Sequence, residues 1–248
     1  MIPAYSLSSI AAEVDETLGE FVTELDVPTG DVGYYVPGGP SRSRTITLES
    51  AQWSKLVGIL FCLPNTRMGR DEILPTLDYF HHRSGSFVDF FLPGFGADWS
   101  GELRKDATSV GTIEGANWLF NAKDFDQSRA ELQASSKWKF SGETDLLLTI
   151  ARKTPGTTAA LDFSTVISCN LEEMLRDQAI TSARSLLERI IDFGETYDGE
   201  DPVFQLSDAM GIKQGKGFLQ EIVLSVLPEA ARKLYKSSKH FVIQDVSV

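Results

Sequence analysis

The sequence predicts an α/β fold in which helices cover a central mixed β-sheet. Two apolar runs are separated by a segment with helical signals, as in a strand–helix–strand unit. Two later apolar runs are joined by a link so short that their strands must be antiparallel. The four predicted strands lie at 56–63, 87–92, 145–151 and 160–169. With helices placed between and after them, the predicted order is β-α-β-α-β-β-α.

The first element predicted along the chain is an acidic amphipathic helix at 6–26. Its apolar residues recur at spacings of three and four, and glutamates and aspartates fill the other positions. A segment rich in proline and glycine follows at 28–43, and the run at 44–48 alternates like a short strand. We assign 1–29 to this helical segment and begin the α/β domain at residue 30.

The first core strand, 56–63, is apolar on both faces, which is typical of a strand buried inside a sheet. The next helix is predicted to begin near Leu74, with Pro75 in its first turn, and to end at His82 or Arg83. After the strand at 87–92, the glycine-rich segment 94–117 is predicted to be a loop.

The second half of the domain begins with a helix at 124–138, for which Asn121 or Asp124 is the predicted N-cap. Asn170 is predicted to cap a long helix at 171–193. We end the α/β domain at residue 195 and assign 196–248 to a helical extension. That extension has helical segments near 204–210 and 217–236 and a final edge strand within 241–248.

This order of elements resembles the thioredoxin-like layout over about residues 56–193, at the level of element sequence only. Thioredoxins carry Cys-x-x-Cys at the start of the first helix of this layout. Here that position reads Asn65-Thr66-Arg67-Met68. The resemblance therefore implies a fold but no thiol redox chemistry, and other layered α/β folds fit the same order.

The charge balance argues against two classes of partner. The chain has 35 acidic and 23 basic residues and a formal net charge of -12. Nucleic-acid backbones and anionic membranes are both bound largely through lysine and arginine, so neither is an expected partner. No apolar stretch approaches the length of a membrane span, and the first residues lack the basic start of a secretory signal.

The two cysteines, Cys62 and Cys169, lie inside apolar runs and are predicted to be buried free thiols. Such thiols are ordinary in a reducing compartment, and we predict a cytoplasmic location. No metal-ligand spacing or dinucleotide fingerprint occurs, so the sequence predicts no metal site and leaves any cofactor unknown.

The strongest candidate for chemistry is a group of four residues: Asp78, His82, Arg83 and Asp89. Histidine could act as a base, with one of the carboxylates orienting it. A carboxylate at position 89, on an apolar strand, is costly unless it is paired or faces a cleft. The ordinary interpretation is that His82 and Arg83 complement a helix C-terminus and that Asp89 pairs with a cation.

A second group of candidates concerns contacts rather than catalysis. Phe95 and Trp99 follow the C-terminal end of a predicted strand, where open α/β sheets bind ligands. Arg42 and Arg44 lie beside glycines that could help to cradle an anion. Aromatic residues are more often core, and such glycine-rich segments are more often plain connections.

Two functional hypotheses follow. The first is a non-redox interaction module that binds a protein partner or a second copy of itself, because helical additions flank a core without a recognisable catalytic motif. The alternative is a hydrolase or transferase that acts on a small substrate, phosphorylated or not, and uses Asp78, His82 and Asp89.

Overall fold

The fold is seen in a computed structural model that describes seven parts of the chain. They are residues 2–4, 6–24, 53–83, 88–98, 106–154, 156–196 and 242–248. The predicted strand at 44–48, the helices at 204–210 and 217–236, and the residues Arg42, Arg44 and Trp99 lie outside these ranges.

A six-stranded mixed sheet forms the centre of the molecule, which confirms the predicted α/β class. Its strands lie side by side in the order β1-β3-β2-β7-β8-β9. Their bounds are β1 Ile2–Ala4, β2 Trp53–Phe61, β3 Val88–Pro93, β7 Asp145–Lys153, β8 Ala160–Asn170 and β9 Val242–Gln244. Strand β3 runs parallel to β1 and β2, and the remaining neighbours are antiparallel.

The core strands owe their position to their apolar sequence. Every described residue of β3 is buried, and so are the first seven of β7, which matches strands that are covered on both faces. The two edges are held by short strands. Strand β9 is the edge strand that alternation within 241–248 predicts, whereas β1 is an edge strand that the sequence pattern did not indicate.

The connection that leads from β3 to β7 does not join parallel strands. Strand β7 runs antiparallel to β2, and its first residue, Asp145, pairs with Phe61 at the end of β2. Residues 136–144 therefore bring the chain back to the end of the sheet where β2 finishes.

The predicted loop at 94–117 is wrong, because most of it forms a second, three-stranded antiparallel sheet. Its strands are β4 Phe95–Asp98, β5 Ala107–Ile113 and β6 Ala116–Asn121, in the order β4-β6-β5. Gly111 lies at a β-bulge and Gly115 in the hairpin turn, so glycine here marks features of strands rather than a loop.

The helices agree with prediction in their caps more than in their lengths. The first is α1 Leu7–Glu24. Helical structure then begins before Leu74, with a π-helical turn at Gly69–Ile73 and a 3-10 turn at Leu74–Thr76 that precede α2 Leu77–Arg83. Pro75 lies in the first turn of the 3-10 segment, where its missing N–H costs little.

The later helices show one confirmed prediction and one error. Helix α3 Ala122–Ser135 is capped by Asn121, as predicted, and ends before Trp138. The single helix predicted at 171–193 is two helices, α4 Leu171–Arg176 and α5 Ala183–Thr196, although Asn170 does cap the first. Between them Gln178 has a left-handed φ of 59°, which a continuous helix does not allow.

Candidate functional site

Asp89 is a structural carboxylate in the interior. Its side chain is fully buried, with Oδ2 2.8 Å from the Lys55 ammonium and 3.3 Å from the Thr17 hydroxyl of α1. Among the described residues, Oδ1 has no hydrogen-bond partner. Burial raises the pKa of Asp89, and Lys55 and Thr17 oppose that rise. The desolvation cost of a carboxylate on an apolar strand is therefore offset by the contacts with Lys55 and Thr17 rather than by exposure to a cleft.

The other three catalytic candidates lie on α2, Asp78 in its first turn and His82 and Arg83 in its last. His82 is 58 % exposed, and its Nε2 lies 4.0 Å from Asp78 Oδ1, which is the i,i+4 surface pair of the ordinary interpretation. Arg83 turns toward α5, where its Nη2 donates to Asp192 Oδ1 at 2.9 Å and its Nε lies 3.8 Å from Glu188.

The sheet keeps Asp89 apart from this group. Its partner Thr17 belongs to α1, which contacts β2, β7, β8 and α3, whereas Arg83 is tied to α5. Connections between parallel strands are right-handed as a rule, and on that rule the steps from β1 to β2 and from β2 back to β3 put α1 and α2 on opposite faces of the sheet. Asp78, His82 and Arg83 thus share a surface, and Asp89 does not. The hydrolase or transferase hypothesis therefore stays a prediction, and the separation of Asp89 from the other three residues does not support it.

A carboxylate that sequence reasoning did not single out reaches the same surface. Glu114 lies in the β5–β6 turn, where Oε2 is 3.5 Å from His81 Nε2 and Oε1 is 3.6 Å from His82 Nδ1. The two adjacent histidines leave the helix in different directions, yet both meet this one side chain. The contact ties the tip of the hairpin to the C-terminal end of α2.

The β5–β6 turn has an uncommon backbone for its sequence. Glu114 and Gly115 have φ values of 49° and 79°, and left-handed φ at both central residues defines a type I′ turn. Asparagine followed by glycine is the preferred pair in such turns, so a glutamate in the first position carries backbone strain.

Strand β5 has more exposed residues than the other strands of the second sheet, as far as the structure describes them. Within the described ranges it pairs only with β6, and Thr108, Ser109, Gly111 and Thr112 are exposed. No residue from Ala107 to Ile113 is charged, although edge strands usually carry charges that prevent unwanted pairing. The threonines, Val110 and Ile113 are the signal from which a strand could have been predicted here.

The outward direction of one backbone amide follows from the turn. In a hairpin with a two-residue turn, the flanking pair, Ile113 and Ala116, exchanges backbone hydrogen bonds. The next pair, Thr112 and Asn117, is then of the non-hydrogen-bonded kind. The N–H and C=O of Thr112 therefore point away from β6, toward the open edge.

Of the four predicted contact residues, the structure describes only Phe95. It is fully buried and packs against Phe120 with ring centroids 5.0 Å apart, so it belongs to the core. Among the described residues, the large apolar side chains that are exposed are Tyr79 and Val248, and Arg184 lies over the Tyr79 ring at 4.4 Å.

Both cysteines are buried free thiols, as predicted. Desolvation raises the pKa of Cys62 to about 12, and burial likewise raises the pKa of Cys169. Cys62 follows β2 beside Thr144, whereas Cys169 pairs with Leu146, so strand β7 lies between them. Two thiols that far apart cannot form a disulfide.

The described residues hold no group of three or more His, Cys, Asp or Glu side chains placed to bind a metal ion. No helix in the described ranges is both long and apolar enough to cross a membrane. Comparison with protein-family models, with curated proteins and with solved structures gives no significant match to this chain.

Proposed function

We propose that this chain is a protein-interaction module that binds an extended segment of a partner along the open edge of β5. Main-chain hydrogen bonds to the edge would supply much of the affinity, as in other cases of strand addition. The observation that carries the proposal is the exposed and uncharged β5, whose Thr112 backbone points outward.

The charges around β5 indicate the chemistry of the partner. Exposed acidic residues stand at both ends of the strand, Asp106 before it and Glu114 after it. The chain as a whole carries a formal charge of -12. A partner segment with an uncharged, β-branched centre and lysine or arginine on its flanks would complement both the edge and its ends.

The hairpin is held firmly enough to present such an edge. Its buried face places Ile113, Ala116 and Trp118 in the interior, and the Trp118 ring packs against His81 of α2 at a centroid distance of 6.2 Å. This packing anchors β5 to α2. A partner strand would therefore meet a preorganised surface.

The test is site-specific photocrosslinking in cells of the source organism. Benzoylphenylalanine placed at Ser109, which is exposed on β5, is expected to capture a partner, whereas the same group at exposed Ala130 of α3 is the control. Mapping the crosslinked peptide then shows whether it is an extended segment with basic flanks.

A matched pair of substitutions at Thr112 isolates the backbone contribution. Thr112→Pro removes the outward N–H, and Gly111 before it tolerates the restriction that proline imposes on its neighbour. Thr112→Val keeps the N–H and the β-branched shape. Capture that is lost with proline and kept with valine supports the proposal. Equal capture by both variants, or equal capture at Ser109 and Ala130, would contradict it.

A further inference from the structure

Two histidines face the acidic residue at one end of β5. The Glu114 carboxylate points one oxygen at each of them, with Oε2 3.5 Å from His81 Nε2 and Oε1 3.6 Å from His82 Nδ1. The exposed fractions of these three side chains range from 30 % to 58 %, so protons from solvent can reach them. Histidine is the side chain whose charge ordinarily changes between pH 5 and pH 8. The charge beside Glu114 therefore depends on pH.

The other charged groups at this end of α2 are carboxylates and a guanidinium. Asp78 Oδ1 lies 4.0 Å from His82 Nε2, and Arg83 is turned toward two carboxylates of α5, those of Glu188 and Asp192. The 3-10 turn that precedes α2 has the sequence Leu-Pro-Thr and holds no titratable side chain. Carboxylates and guanidinium groups ordinarily keep their charge between pH 5 and pH 8, so the histidines are the groups that respond to pH here.

Protonation of the histidines changes what this end of β5 offers to a partner. With neutral imidazoles, Glu114 presents a negative charge to a lysine or arginine that flanks a bound strand. With protonated imidazoles, that negative charge is compensated and the added positive charges repel the same flank. Asp106, at the other end, is roughly 25 Å away along an extended strand, well beyond the screening length of about 8 Å. The response is therefore confined to the Glu114 end.

We propose that His81 and His82 act as a pH sensor for the edge of β5, so that a strand with basic flanks binds more tightly at pH 8 than at pH 5.5. This inference rests on the proposed function and deepens it, because it names how binding at that same edge is regulated.

The test measures the affinity of one defined probe at two pH values. The probe is a fluorescent peptide with the sequence Lys-Thr-Val-Thr-Val-Thr-Lys and capped ends, whose lysines keep their charge from pH 5.5 to pH 8. Its binding to the full chain is followed by fluorescence anisotropy. We expect the affinity of the wild type to fall by about two- to fivefold between pH 8 and pH 5.5, as for the loss of an exposed ion pair.

A matched pair of variants assigns that fall to the histidines. In His81→Gln/His82→Gln no imidazole is present, and the affinity is expected to be the same at both pH values. In Asp106→Asn the affinity should be lower at both pH values, with the pH response kept. An unchanged affinity of the wild type between the two pH values would overturn the inference. An equal fall in the wild type and the double variant would overturn it as well.

A single substitution guards against loss of structure in the double variant. His82→Gln leaves the packing of His81 on Trp118 in place and should retain about half of the pH response. A full response in this variant would exclude His82 as part of the sensor. Failure of the peptide to bind the wild type at pH 8 would be a different result, since it would contradict the proposed function itself and the inference with it.

Discussion

The Lys55 ammonium lies 2.8 Å from one oxygen of Asp89, while the other oxygen of that carboxylate has no hydrogen-bond partner in the part of the chain that the structure describes. The pair joins β2 to β3 beneath α1, and only 9 % of the lysine side chain and none of the aspartate is exposed. A buried ion pair that is incompletely hydrogen-bonded contributes little net stability, yet removing one partner is costly.

Substitution of Lys55 by methionine is expected to destabilise the protein in a pH-dependent manner. Methionine keeps the apolar stem but leaves Asp89 unpaired, a change that costs about 3–5 kcal/mol when the carboxylate is ionised. Because burial raises the pKa of Asp89, its carboxyl takes up a proton at a higher pH in the folded chain than in the unfolded chain. Stability is therefore retained near pH 4 and lost as the pH rises from the ordinary value of 3.8 through the higher folded value.

The measurement is urea unfolding of wild type and Lys55→Met at pH 4 and pH 8. We expect a small difference at pH 4 and a large one at pH 8. The double variant Lys55→Met/Asp89→Asn is the control, since it has no group at position 89 to titrate and its deficit should not change with pH. An equal cost of the single substitution at both pH values would contradict this interpretation.

Two glycines differ in whether the structure has room for a side chain, and their alanine variants test this difference. At Gly69 an added Cβ would clash with the Leu63 carbonyl oxygen, a backbone atom, whereas at Gly111 it would meet nothing within 4 Å. Gly69→Ala should therefore cost at least about 1–3 kcal/mol. Gly111→Ala should be neutral or up to about 1 kcal/mol stabilising. Thermal unfolding of both variants measures this, and equal melting temperatures would refute the tight turn at Gly69.

Relief of the strained turn at Glu114 should stabilise the hairpin. Asparagine tolerates the left-handed backbone better than glutamate does, so Glu114→Asn is expected to raise stability by about 1 kcal/mol. The substitution also removes the contacts to His81 and His82, but ion pairs at exposed sites contribute little. A lower melting temperature for Glu114→Asn would show that the histidine contacts outweigh the strain.

The two thiols should be inert in the folded protein. Reactivity requires a thiolate, and burial holds the pKa of Cys62 near 12 and raises that of Cys169. Ellman's reagent at pH 8 is expected to detect neither thiol in native protein and both after denaturation. Rapid labelling of the native chain would place a cysteine at the surface instead.

The central sheet could be predicted from the sequence because burial on both faces leaves a continuous apolar run. Strands such as 145–151 carry this signal without help from distant residues. The two predicted caps, Asn121 and Asn170, were also confirmed, because capping depends on the neighbouring backbone alone.

The features that prediction missed depend on distant contacts. Strand β1 has three residues and forms only because β3 offers it an edge. The glycines at 111 and 115 indicated a loop in the sequence, although the residues around them form the β5–β6 hairpin. Likewise, no pattern along the chain could reveal that Asp89 contacts α1 whereas Arg83, next to His82, contacts α5, since these contacts depend on the order of the strands.

The most direct test of strand addition at β5 is amide hydrogen exchange in the free protein, monitored by NMR at two neighbouring residues. The account predicts slow exchange of the Ile113 amide, which is bonded to β6, and fast exchange of the Thr112 amide, which points to the open edge. Exchange at Thr112 as slow as at Ile113 would mean that the edge is already covered, and binding of a partner strand there would be contradicted.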